Sequence, residues 1–199
     1  MSDPHHSNPY DQGRRWFARS LLAVLPALAI GLSACSPGHD WRQVTLADGD
    51  VQAMFPDRPK SRTRTVAFEG HALELTLSSA RVGDMLYTLG YARLPPALGA
   101  STAARARLEA QLHLSLHSNL GAPPPLARIA SGERFTVRGR DSQIAVRLDG
   151  MLWTTPTLLI EGLVIGADEK FSDLHADEFL RELAPAQRPL RDAGSATSG

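Results

Sequence analysis

Leu73-Glu74-Leu75-Thr76-Leu77-Ser78 alternates one apolar with one polar side chain. Successive strand residues point to opposite faces of a sheet, so this period of two predicts a half-buried strand. It runs on to Val82. Gly83-Asp84 turns the chain into a second arm, Met85–Leu94, which Pro95-Pro96 ends because proline donates nothing to a ladder. A long hairpin is therefore the centre of the reading.

Upstream, Gln43–Ala47 and Val51–Phe55 read as short strands around Asp48-Gly49-Asp50. Val66-Ala67-Phe68 leads into a turn at Glu69-Gly70-His71. Downstream, Ala104, Leu108, Leu112, Leu116 and Leu120 recur every fourth residue and predict a helix capped by Ser101 or Thr102. Arg105, Arg107 and Glu109 fall on its polar faces. Gly121 and Pro123-Pro124-Pro125 stop it.

A second run of strands follows. Leu126–Val137 reads as a strand broken near Gly132, and Gly139-Arg140-Asp141 as a turn. Ile144, Val146 and Leu148 alternate up to Asp149-Gly150, a hairpin signal. Met151–Thr155 and Leu158–Ile165 are the most apolar strands, and a central strand is expected there. Pro156 between them predicts a bulge or edge. The last element is a helix from Ser172 to Leu183 with Ala176, Phe179, Leu180 and Leu183 on its inner stripe. Hairpins, helix, hairpins, helix predict an α+β fold, an antiparallel β-sheet with helices packed on it.

The N-terminus carries an address. Arg14-Arg15-Trp16-Phe17-Ala18-Arg19 precedes an apolar run from Ser20 to Ala34, and Cys35 follows. A basic segment, a short apolar segment and small residues before a cleavage point describe an export signal. The apolar run is shorter than the roughly 20 residues a spanning helix needs. Leu32-Ser33-Ala34-Cys35 resembles the bacterial lipobox. That resemblance implies acylation of the Cys35 thiol, cleavage just before it, and palmitate-type anchoring in the cell envelope. Arg14 and Arg15 with Phe17 resemble a twin-arginine export signal. Ser36 after the Cys resembles outer-membrane sorting, with the domain facing the periplasm. The expected organisation is a signal peptide over 1–34, a lipidated tether over 35–40, a domain over 41–184 and a disordered tail over 185–199.

Composition narrows function. Residues 1–34 hold three Arg against two Asp, and the rest 18 basic against 19 acidic residues. A near-neutral domain lacks the basic excess that nucleic acid demands, so no nucleic-acid partner is expected. One cysteine excludes an internal disulfide and a Cys-based zinc site. No nucleophile elbow, phosphate loop or dinucleotide fingerprint occurs. No catalytic residue, metal or cofactor is expected. His113 and His117 share a helix face but lack a third ligand, and read as surface or helix-edge histidines. Asp173, His175, Asp177 and Glu178 read as a solvated helix start. Trp41, Trp153, Tyr87 and Tyr91 read as core or interface anchors rather than a ligand pocket.

Taken in order, Val51-Gln52-Ala53-Met54-Phe55-Pro56, Tyr87–Arg93, the helix before Gly121 and Glu178-Phe179-Leu180-Arg181-Glu182-Leu183 resemble the PsbP-like superfamily of small bacterial envelope and thylakoid-lumen proteins. The closing segment departs from that pattern by lacking a Ser after Phe179. The resemblance implies an α/β/α sandwich and an accessory or assembly role without catalysis. The functional expectation is a membrane-anchored envelope lipoprotein that contacts an unknown envelope protein. The alternative is a lipoprotein binding a small ligand or metal.

Overall fold

The computed structural model describes residues 38–181 and 183–185. The export signal, with Arg14, Arg15, Leu32, Ser33, Ala34 and Cys35, lies outside the described residues.

Among the described residues, two antiparallel sheets and three α-helices make an α+β fold. Strands β3 (Lys60–Phe68), β4 (His71–Val82), β5 (Met85–Arg93), β6 (Arg134–Asp141), β7 (Ile144–Thr154) and β8 (Leu158–Ala167) form the main sheet in the order β3-β4-β5-β8-β7-β6. A smaller sheet, β1-β2-β9, joins β1 (Arg42–Leu46), β2 (Val51–Phe55) and a two-residue β9 (Ala184–Pro185). Helices α1 (Pro96–Gly99) and α2 (Thr102–Asn119) follow β5, and α3 (Asp173–Arg181) follows β8.

The alternation of β4 decides which side each layer takes. Leu73, Leu75 and Leu77 face α2 and pack with Ala92, Leu98, Ala104, Leu108 and Leu159. On the opposite face, Tyr87 and Leu89 of β5 meet Val51, Ala53 and Phe55 of β2 and Ala176, Phe179 and Leu180 of α3. The Tyr87 and Phe179 rings meet edge-on at 5.5 Å, and Phe55 meets Phe179 at 5.3 Å. β8 is central and buried from Leu158 to Val164, an apolar run interrupted by Glu161. Arg93 locks the two sheets together. Its guanidinium donates to the Ala47 carbonyl, Asp48 and Asp50 in the β1–β2 turn, where Ala47 and Asp48 hold positive φ.

α2 crosses its face of the sheet diagonally. Ser101 caps it by accepting from the Ala104 amide. Arg107 in its first half pairs with Glu69 at the β3–β4 turn. At its far end the Leu120 carbonyl accepts from the Arg140 amide on β6.

Four local expectations are corrected. Asp149-Gly150 is no hairpin turn: it lies in the middle of β7, fully paired with β6 and β8. Ion pairs satisfy Asp149 there, and only hydrogen fits at Gly150, since a Cβ would stand 2.7 Å from Phe135 and 2.9 Å from Leu163. Gly139-Arg140-Asp141 belongs to β6, and the chain turns one residue later at Ser142, which holds φ 56°. Leu126 to Glu133 is not a strand, and Leu126 is fully exposed. β3 begins at Lys60, six residues before the predicted Val66.

Candidate functional site

The first described residues fasten the chain to the domain. The Asp40 amide donates to the Pro56 carbonyl at 2.8 Å. His39 stacks on Trp41 at 5.7 Å and on His175 of α3 at 3.8 Å. Its Nε2 lies 3.2 Å from the Tyr87 hydroxyl, in a hydrogen bond. Burial and then the neighbouring His175 lower the His39 pKa, against the opposing charge of Glu178. Burial, with Glu178, pushes the Tyr87 phenol up to about 12, so it stays protonated. Three elements thus converge on one imidazole: the incoming chain with Trp41, β5 and α3.

An ionic network docks the start of α3. Asp149, inaccessible to solvent, accepts from Arg134 at 2.6 Å, from Thr136 at 2.9 Å and from Arg147 at 2.9 Å on both oxygens. Arg134 also bonds Asp177, and Arg147 reaches Asp173 at 2.7 Å while covering the Phe171 ring at 4.3 Å. Burial raises the Asp149 pKa, but the bonds from Arg147, Arg134 and Thr136 outweigh it and leave the carboxyl below the usual range. The helix start stays solvated, with the Asp173 and Asp177 side chains 70% and 45% exposed, but both are also ion-paired to the sheet and His175 packs on His39.

On the inner face of α2, Glu109 and His113 are buried, 7% and 5% exposed. Both positions correct the sequence reading, which set Glu109 on a polar face and His113 at the surface or helix edge. Glu109 stands three residues before Leu112 and seven before Leu116, and His113 three before Leu116 and seven before Leu120, spacings that put both on the leucine stripe. Glu109 accepts from Ser131 at 2.8 Å and Thr154 at 2.7 Å, fixing the loop after α2 to the end of β7. His113 packs on Phe135 and meets His117 edge-on at 4.8 Å. Burial, and then His117, lower its pKa. His117 Nδ1 contacts the Pro123 carbonyl instead. Among the described residues no group of three or more His, Cys, Asp or Glu is placed to hold a metal ion. Trp41, Trp153 and Tyr91 pack on the core cluster around Tyr87, and Tyr91 also lines a shallow cleft of about 550 Å³ with Glu74, Thr76 and Arg93.

Beneath α2 one charge has no hydrogen bond among the described residues. Glu161 of β8 is 4% exposed, and burial pushes its carboxyl up to about 7 against the pull of Arg64. It occupies the space that Gly90 leaves on the adjacent strand.

The diagonal of α2 leaves one corner of the sheet uncovered. There Lys60 and Arg62 on β3, Arg81 on β4 and Arg58 in the preceding loop border a shallow cleft of about 510 Å³ floored by Leu77 and Leu86. All four cations are exposed, and among the described residues none makes an ion pair. The sequence signal was present: Lys60, Arg62 and Arg64 repeat every second residue, the spacing of one strand face. Their partners on the other face are a ladder of hydroxyls, Ser61 to Ser78 at 2.8 Å and Thr63 to Thr76 at 2.9 Å.

No family profile, curated protein or solved structure matches this chain. No helix among the described residues is long and apolar enough to cross a membrane.

Proposed function

We propose that this chain is an envelope lipoprotein, anchored through Cys35, whose small α+β domain of PsbP-like type serves a non-catalytic accessory or assembly role by contacting another envelope protein. The observation that supports it is the clasp on the incoming chain. Two residues separate Cys35 from Gly38, and from His39 onward the chain is held by Tyr87 and His175. Five residues from Cys35 to Asp40 reach at most about 18 Å. An acylated Cys35 would therefore hold one defined end of the domain close to the bilayer. The polar groups buried in the domain favour this reading too. Asp149 and Glu109 are committed to joining helices to the sheet, which suits a rigid contact module.

Mass spectrometry of the native protein purified from membranes tests the anchor. A mature chain starting at an acylated Cys35 is expected; an unmodified sulfhydryl there, or an intact Met1 on a soluble species, overturns it. Crosslinking in native membranes then identifies the contacted protein.

A further inference from the structure

The uncovered corner of the main sheet lies at the same end of the domain as the incoming chain. Asp40 is bonded to Pro56, and Pro56 stands two residues before Arg58 and four before Lys60. The tether and the cations thus leave from one loop. We propose that this corner rests on the phosphate diester headgroups of the anionic bilayer in which the anchor sits, with Arg58, Lys60, Arg62 and Arg81 as the contact residues. The proposal deepens the anchored reading above and rests on it for the orientation of the domain, but the chemistry of the corner stands apart from the thiol.

Charge complementarity names the occupant. The domain is close to neutral overall, yet these four cations share one face and none makes an ion pair among the described residues. Asp57 lines the same cleft and accepts from the Arg58 amide at 2.6 Å, so the corner keeps four positive charges against one negative; Asp84 is bridged to Lys170 at 3.1 Å, and Glu161 is buried beneath α2, facing Arg64. Headgroup phosphates offer repeated single charges on a broad plane, which suits an open, shallow corner better than a single small anion does. Basic side chains near an anionic membrane surface each strengthen attraction, and the effect fades with ionic strength. β3 is also an edge strand, where charges discourage pairing with another sheet. That role explains Lys60 and Arg62 but not Arg58 in the loop or Arg81 on the second strand.

The test uses residues 36–199, which lack the thiol, so the state of Cys35 does not enter. All three core clusters are built from residues between Ala47 and Leu183, so this piece carries its whole interior. Co-sedimentation is measured with vesicles of phosphatidylcholine alone or mixed with phosphatidylglycerol. Binding is expected only to the mixed vesicles, falling as salt rises. Lys60→Glu combined with Arg62→Glu is expected to weaken it at least about tenfold. Arg128→Glu combined with Arg140→Glu, equal in net charge but remote, is expected to weaken it much less. Thermal unfolding verifies that both variants stay folded. Equal binding to both vesicle types, or equal losses in both variants, overturns the proposal and leaves the cations as guards of the edge strand. Binding to polyglutamate as tight as to the mixed vesicles also overturns it, in favour of an acidic protein partner. Failure of the anchored reading shows separately, in the mass of the native N-terminus.

Discussion

His39 and His175 stack with ring centroids 3.8 Å apart, joining the first described stretch of the chain to a helix near its end. Two imidazoles at that distance resist double protonation. Burial and His175 hold the folded pKa of His39 below 6.5, while Glu178 opposes them and Tyr87 stays neutral. A lowered folded pKa means that the released state binds more protons. The clasp is therefore at full strength above about pH 6.5 and is lost as pH falls below it. Hydrogen exchange of the Gly38–Arg42 amides, corrected for intrinsic rates, is expected to accelerate between about pH 7.5 and pH 5. His39→Gln should flatten that dependence, and a wild-type profile already flat would refute the clasp as a proton-sensitive contact.

Asp149 is the hub that joins β6, β7 and α3. Removing one member of a buried ionic group strands the others, at about 3–5 kcal/mol. Asp149→Ala is expected to lose that much in urea unfolding. Arg138→Ala, which breaks the exposed 3.6 Å pair with Asp168, should lose less than about 1 kcal/mol. The folded carboxyl titrates below 3.8, so its contribution is present above that value and disappears as pH drops through the lowered one. Comparable losses in the two variants would mean that Asp149 is no hub.

Glu161 acts in the opposite direction. Its carboxyl titrates at about 7 in the fold against 4.5 as a free side chain. Between those values the folded protein keeps a proton that the unfolded chain releases, so stability declines as pH rises through the window, by about 3 kcal/mol in all. Glu161→Gln cannot ionise. Its stability relative to wild type is expected to be small at about pH 4 and to rise toward about 3 kcal/mol at about pH 8. A pH-independent difference between the two proteins would count against a buried ionisable Glu161.

Gly90 and Glu161 share one space. A Cβ at Gly90 would stand 2.5 Å from the Glu161 Cγ. Gly90→Ala is expected to cost about 1–3 kcal/mol through overpacking. In a Glu161→Ala background that cost should fall by half or more, a coupling that a double-mutant cycle measures directly. Strict additivity would show that the two side chains do not contend.

The central hairpin was legible because Leu73, Leu75 and Leu77 alternate with polar residues, and nothing else satisfies that period. The first half of β3 was not. Lys60 to Thr65 is polar on both faces, so alternation of charge with hydroxyl replaced alternation of apolar with polar. Asp149-Gly150 misled for a physical reason: a turn-forming pair becomes a strand when Arg134 and Arg147 reach its carboxylate and Phe135 fills the space above its glycine. Glu109 and His113 lay on the leucine stripe from the start, but a polar residue there reads as helix surface until Ser131, Thr154 and Phe135 arrive from distant strands. His39 and His175 share no local pattern at all; only the packing of α3 against β5 and the smaller sheet brings them together.

The small sheet has a mechanical consequence. β1 meets β2 through five antiparallel pairs, from Arg42 opposite Phe55 to Leu46 opposite Val51, and β9 seals the other edge of β2. On an anchored chain, a pull along the axis of β1 would meet the His39 clasp first and then load the five pairs together in shear, which resists more than parting them one by one.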